Sequence, residues 1–213
     1  DITAEHESVQ ALERSNKELE QFAYVASHDL QEPLRMVRSY LSLVEDEMPS
    51  ELSEDVKKYM GYAKDGAHRM QQLISHLLQY SRVGRFKKLQ LFDADDALDD
   101  ALGILNGMVS ERGAQLWRDV LPEVYADRNM LMRVFLNLVG NALKFRRDDA
   151  PLVITINADV CAEDDRYWQF SVRDTGRGFD MKYAERVFVL FQRLAHDKSG
   201  TGIGLAECKK IVE

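Results

Sequence analysis

The sequence predicts two parts in series: an all-α helical hairpin that forms a dimeric four-helix bundle, then an α+β two-layer sandwich. Three observations carry this. Apolar residues recur at helical spacing as far as Gly84; beyond it, helical stretches are interleaved with runs in which apolar and polar residues alternate. The 213 residues hold only 12 Gly and 4 Pro, too few for a linker or a fibrous repeat. Hydrophobic residues make up 45%, enough for one sizeable core or two modest ones. Composition also excludes. No stretch approaches the ~18 uncharged apolar residues of a membrane-spanning helix, and the N-terminal residues lack the basic flank and apolar run of a signal peptide. A net charge of -8 argues against a nucleic-acid-binding face. Cys161 and Cys208 stand outside metal-type spacing and read as reduced thiols, so we expect a cytoplasmic chain.

Taken in order, the a and d places of a seven-residue repeat over 1–30 read Ile2, Glu5, Val9, Leu12, Asn16, Leu19, Ala23, Ala26 and Leu30. Such a stripe marks a helix built to pair with another, and Asn16 stands where a buried polar residue fixes register. Pro33 ends or kinks this helix, and Leu34, Val37, Leu41 and Val44 carry a helical pattern onward. Met48–Leu52 reads as a turn, and Ser53 is an N-cap. From there to Val83, the residues Val56, Met60, Ala63, Ala67, Met70, Ile74, Leu77 and Tyr80 alternate between spacings of three and four. A hairpin with one apolar stripe per helix has little to bury it against, and pairing two hairpins as a homodimer solves that. Residues 87–94 then read as a strand and 95–112 as a helix stopped by Gly113. Asp127 caps a helix running to Phe145. Leu152, Ile154, Ile156, Ala158 and Val160, then Trp168, Phe170 and Val172 across the acidic turn 163–165, predict a β-hairpin with one buried face. The two parts are 1–86 and 87–213.

Three features of the second part point at a nucleotide. Asn137, Asn141 and Lys144 fall at i, i+4 and i+7, a polar line beside the apolar line Leu131, Phe135, Leu138, Ala142 and Phe145. Asparagine is a mediocre helix former; its side-chain oxygen suits Mg²⁺, and lysine suits phosphate. Asp174-Thr-Gly-Arg-Gly-Phe179 follows the last strand, with Asp174 at the parity of Phe170 and Val172. A buried aspartate there needs a donor, which an adenine amino group could supply. Gly200-Thr-Gly-Ile-Gly-Leu205 opens the final helix, where glycines let backbone N–H groups approach phosphate.

These residues carry a resemblance. Asn137-Leu-Val-Gly-Asn141-Ala-Leu-Lys144-Phe resembles the N box of the sensor histidine kinases of two-component systems. Asp174-Thr-Gly-Arg-Gly178 and Gly200-Thr-Gly-Ile-Gly204-Leu resemble that family's two glycine boxes, and Phe188-Val-Leu-Phe191-Gln-Arg193-Leu its F box. Phe22-Ala-Tyr-Val-Ala-Ser-His28-Asp29-Leu-Gln-Glu-Pro33-Leu resembles the phospho-acceptor H box, closest to kinases attached to phytochrome or PAS sensors. The five motifs stand in order over nearly the whole chain.

The resemblance implies a gyrase-like, Bergerat-type ATP-binding fold in 87–213, with its last strands missing, behind a dimerisation and phosphotransfer hairpin in 1–86. It implies that His28 attacks the γ-phosphate of ATP, with Asp29 favouring the nucleophilic tautomer, and then passes the phosphoryl group to a response-regulator aspartate. His28 falls at the f place of the repeat, remote from the helix seam, which suits an exposed acceptor. By the same resemblance Asn141 binds Mg²⁺, Asn137 supports that end of the pocket, Lys144 reaches phosphate or ribose, and Asp174 reads adenine. Gly176, Gly178, Gly200, Thr201, Gly202, Gly204 and Leu205, with Phe188 and Phe191, shape the pocket and an ATP lid over 180–199. The partners implied are a second copy, a response-regulator receiver domain and an upstream sensor domain. Glu32 departs from the family, many of whose members carry Thr or Asn four residues after the histidine. It lies beside His28 on the side a regulator would face, and a carboxylate there disfavours positioning a water for phosphatase activity. A different class of function, a nucleotide-gated dimeric scaffold that transfers little phosphate, fits the same motifs.

Overall fold

A computed structural model describes residues 30–48, 52–83, 88–194 and 200–213. His28, Asp29, His196 and the a and d places before Leu30 lie outside the described residues. The chain divides after Arg82 into two compact units.

The first unit holds helix α1 (30–47) and helix α2 (Glu54–Arg82). Residues on both sides of Pro33 are helical, so proline does not stop the helix: it withdraws only the one N–H that would reach back a turn. Ser53 caps α2 as expected, its Oγ accepting from Val56 N at 3.4 Å, while Glu54 and Asp55 place negative charge at the positive end of the helix dipole. Arg38 donates to Gln71 Oε1 at 2.8 Å, and Lys64 pairs with Glu45. Moving forward along one helix moves backward along the other, so α1 and α2 are antiparallel. Met60 and Ala67 are buried, yet Val37, Tyr40 and Val44 on α1 and Val56, Tyr59 and Met70 on α2 all remain at least 40% exposed.

The second unit runs β1 (Leu89–Asp93), α3 (Ala94–Arg112), β2 (Gln115–Arg118), β3 (Glu123–Asp127), α4 (Arg128–Lys144), β4 (Val153–Val160), β5 (Trp168–Asp174) and α5 (Gly204–Val212). β1 and β3 form an antiparallel pair; β4 lies between β2, to which it is parallel, and β5, to which it is antiparallel. Gly113 stops α3 in the left-handed conformation at φ 61°, with its N–H on the Ser110 and Val109 carbonyls. The buried side of α3, Ala94, Ala97, Leu98, Ala101 and Leu105, joins one core with Phe135, Val139, Ala142 and Leu143 of α4 and Ile154 and Ile156 of β4. Phe135 meets Phe170 of β5 edge to face, with centroids 5.8 Å apart.

The sequence reading departs from this in two places. It does not anticipate β2 and β3, short strands of four and five residues. It also places the apolar line of α4 on one face. The buried residues are Val134, Phe135, Val139, Ala142 and Leu143, while Leu131 and Leu138 are only half-buried, because α4 is covered by α3 and the strands and also by α5. Among the described residues no helix is long and apolar enough to cross a membrane.

Candidate functional site

The C-terminal half of α4 is the floor of the site. Its N-terminus is held by Asp127, which accepts from Asn129 N and Met130 N on one oxygen and from Lys88 N, at 2.8 Å, on the other. At the far end Phe145 N bonds Asn141 O, and the first glycine segment docks there. Arg177 N donates to Phe145 O at 2.9 Å, and a Cβ on Gly176 would stand 2.8 Å from that same carbonyl oxygen. Only glycine fits so close to backbone. Thr175 ties this segment to the sheet: its N donates to Val153 O, and its hydroxyl accepts from Val153 N and donates to Pro151 O.

The second glycine segment reaches the same helix from α5. A Cβ on Gly200 would lie 2.5 Å from Lys144 Nζ, and one on Gly204 would lie 2.7 Å from Asn137 Oδ1. The Lys144 ammonium sits 4.4 Å from the centre of the Phe145 ring. Phe191 N donates to Gly202 O at 2.9 Å, linking the F-box segment to this one; Phe191 is held at φ 62° and Gly202 at φ 71°. Ile203, between the glycines, is 1% exposed and anchors the segment in the interior.

Lys144 and Asn137 thus stand against the second glycine segment, while the first docks on the Phe145 carbonyl at the end of α4. Phe188 and Phe191 are about half exposed, Thr201 and Leu205 half-buried. One expectation needs correction: Asp174 is exposed, not buried, and its Oδ1 accepts from Gly176 N at 2.8 Å. Strand parity assigned the side and not the depth. Asp174 is the last residue of β5, an edge strand, past the cover that half-buries Phe170 and Val172. Arg146, Arg147 and Arg177 border the segment, answered by Asp148 and Asp149; the Arg147 guanidinium holds the Asp149 carboxyl below the usual carboxylate range. In the first unit, Glu32 pairs loosely with Arg35 at 3.7 Å and shares a groove with Arg38, His68, Gln71, Gln72 and Ser75.

Sequence reasoning missed Glu207. It is buried on α5 and contacts Arg133 and Asn137 of α4. The signal was there: Glu207 is four residues from both Ile203 and Ile211, a charge on an apolar line.

Comparison with known families finds a match in each unit. Residues 18–85 match the His Kinase A (phospho-acceptor) domain, and residues 126–213 match the histidine kinase-, DNA gyrase B-, and HSP90-like ATPase family. The chain belongs to the histidine kinases. This histidine kinase chain is 46% identical over 205 residues to cyanobacterial phytochrome A of Nostoc sp. (strain PCC 7120), across 95% of its own length and 26% of that protein's. It is 43% identical, over 95% of its length and 27% of the other's, to the phytochrome-like protein Cph1 of Synechocystis sp. (strain PCC 6803). The chain therefore spans about a quarter of the curated relatives it matches. Among solved structures, full-length ShkA in complex with AMPPNP superposes with a TM-score of 0.64 at 24% identity, covering 90% of this chain and 40% of that one. ThkA in complex with response regulator protein TrrA gives 0.59 at 21% identity, covering 94% and 57%. At these identities the likeness is one of fold.

Proposed function

We propose that this chain catalyses ATP-dependent phosphorylation of its own His28 and passes the phosphoryl group to an aspartate of a response regulator. The observation that carries this is the meeting of both glycine segments at the C-terminal half of α4. Lys144 abuts Gly200, Asn137 abuts Gly204, and the Phe145 carbonyl holds residues 176 and 177. Such a site offers backbone N–H groups and one ammonium to phosphates, and an exposed carboxylate, Asp174, to the adenine amino group. The ShkA structure is a complex with AMPPNP, an ATP analogue, which supports the same ligand class.

Mg²⁺ fits the donor set. Among the described residues no group of three or more His, Cys, Asp or Glu could cage a metal, whereas Mg²⁺ binds through few protein oxygens together with substrate phosphates. Asn141, which the family resemblance assigns to the metal, would be the protein ligand through its amide oxygen. When bound, Mg²⁺ neutralises phosphate charge. His28 supplies the nucleophilic ring nitrogen, and Asp29 favours its tautomer. The exposed apolar residues of α1 and α2 support a homodimer of hairpins, with 1–86 as the dimerisation and phosphotransfer domain and 87–213 as the nucleotide domain. The Glu32 carboxylate, near His28 in sequence, makes this a kinase with weak phosphatase activity. A response-regulator complex is described for ThkA, which supports that partner class.

The test is incubation with radiolabelled ATP. Wild type should acquire an acid-labile, alkali-stable label that EDTA abolishes and His28→Gln lacks, and Asp174→Asn and Asn141→Ala should cut it at least about tenfold. Label retained by His28→Gln would overturn the proposal.

A further inference from the structure

A carboxylate inside a helix packing against another helix needs partners, and Glu207 finds two on α4. Arg133 forms an ion pair with Oε1, and Asn137 Nδ2 donates to Oε2 at 3.1 Å. Glu207 is 7% exposed. A buried ion pair is close to neutral for stability against a well-packed apolar pair, so fold stability gives no strong reason for this one. What the carboxylate supplies is direction. The two ends of an asparagine amide have nearly the same shape, and rotation by a half-turn exchanges donor for acceptor. An ionised carboxylate only accepts, so it selects the orientation with Nδ2 inward and Oδ1 turned to the Gly204 backbone, where the glycine leaves no room for a Cβ. The Cys208 thiol, next along α5, donates to the Val134 carbonyl of α4 at 4.0 Å, and burial pushes that thiol up to about 11, so it stays protonated.

We infer that Glu207, braced by Arg133, is a positioning residue of the nucleotide site: it fixes the Asn137 amide and through it the seat of the second glycine segment on α4. This rests on the nucleotide reading above. Glu207 touches neither phosphate nor metal; it acts by setting where Asn137 and Gly204 stand before Mg-ATP arrives.

The test is a double-mutant cycle on the full chain, with Mg-ATP affinity measured by calorimetry and melting temperature measured alongside. Glu207→Leu should bind Mg-ATP about tenfold more weakly while folded, the size expected for losing one charge-assisted hydrogen bond. Glu207→Gln, which keeps an acceptor and loses the charge, should fall between it and wild type. Asn137→Ala combined with Glu207→Leu should bind no more weakly than Asn137→Ala alone, because both act on one amide. If Glu207→Leu does not fold, the cycle is read with Glu207→Gln. Additive losses, or variants that melt earlier and bind Mg-ATP like wild type, would reduce Glu207 to a packing residue and overturn the inference alone. A wild-type chain that binds no ATP would instead overturn the nucleotide reading itself.

Discussion

Cys208 is a thiol whose chemistry burial has switched off. Its ordinary value of 9.0 is raised to about 11 by desolvation, and the residue is 6% exposed. Between those pH values an unfolded chain sheds the thiol proton and the folded one keeps it. The stability contributed is therefore complete below pH 9 and is lost as pH rises toward 11, by on the order of 2 kcal/mol. Denaturant melts of wild type and Cys208→Ala should converge as pH rises through that window; a constant difference would mean the thiol does not titrate this way. Iodoacetamide at neutral pH should label the half-exposed Cys161 well before Cys208, as mass spectrometry of the digest would show. At this scale the sequence is readable where residues sit on one helix: Asn137, Asn141 and Lys144 announce a shared face by their spacing. It is unreadable where a contact crosses the chain. Arg133 and Glu207 are 74 residues apart, and nothing local to either names its partner. Asp174 shows a third case, in which alternation tells which way a side chain points and not how far the covering layer extends.

Helix ends and turns make the next scale legible. Asp127 was recognisable as a cap, and it does more than cap, since it also fixes Lys88 N at the entry to β1. Asp127→Ala should cost about 2 kcal/mol, at the upper end for a lost cap, measured by urea unfolding. Glycines divide by what surrounds them. Gly103 and Gly107 lie within α3 with nothing within 4 Å of a new Cβ, so alanine at either should stabilise by roughly 0.5–1 kcal/mol. Gly202 sits at φ 71° with Gln192 O only 2.7 Å from the Cβ position, so alanine there should cost at least about 1–2 kcal/mol and weaken Mg-ATP binding. Equal thermal shifts for Gly107→Ala and Gly202→Ala would contradict this. Length alone did not decide which strands were legible: β4 with eight residues, β5 with seven and β1 with five declared themselves, whereas β2 with four and β3 with five did not. A short strand is specified by the neighbour it pairs with, and for β2 that neighbour is β4, far along the chain.

For the molecule as a whole, the exposed stripe of the first unit is the feature with the largest physical consequence. Val37 and Val44, 46% and 41% exposed and two turns apart on α1, should both be covered in a homodimer. Val37→Glu with Val44→Glu should shift light scattering from dimer to monomer at micromolar concentration, and a dimer that survives both would place the interface elsewhere. The two-part architecture was legible because its signal is a change of hydrophobic period, which needs no knowledge of partners. Sheet order was not, and that order sets a clock. β1 reaches β3 across α3, and β2 reaches β4 across α4; only β4 and β5 are joined directly by a turn. Distant pairings are slow to find, whereas antiparallel helices joined by a short connection zip up early. The helical hairpin should therefore be in place while the nucleotide unit is still assembling around β4–β5. Stopped-flow refolding at fixed concentration should resolve two phases, with Ile154→Val and Phe135→Leu slowing only the later one and Ala67→Gly only the earlier.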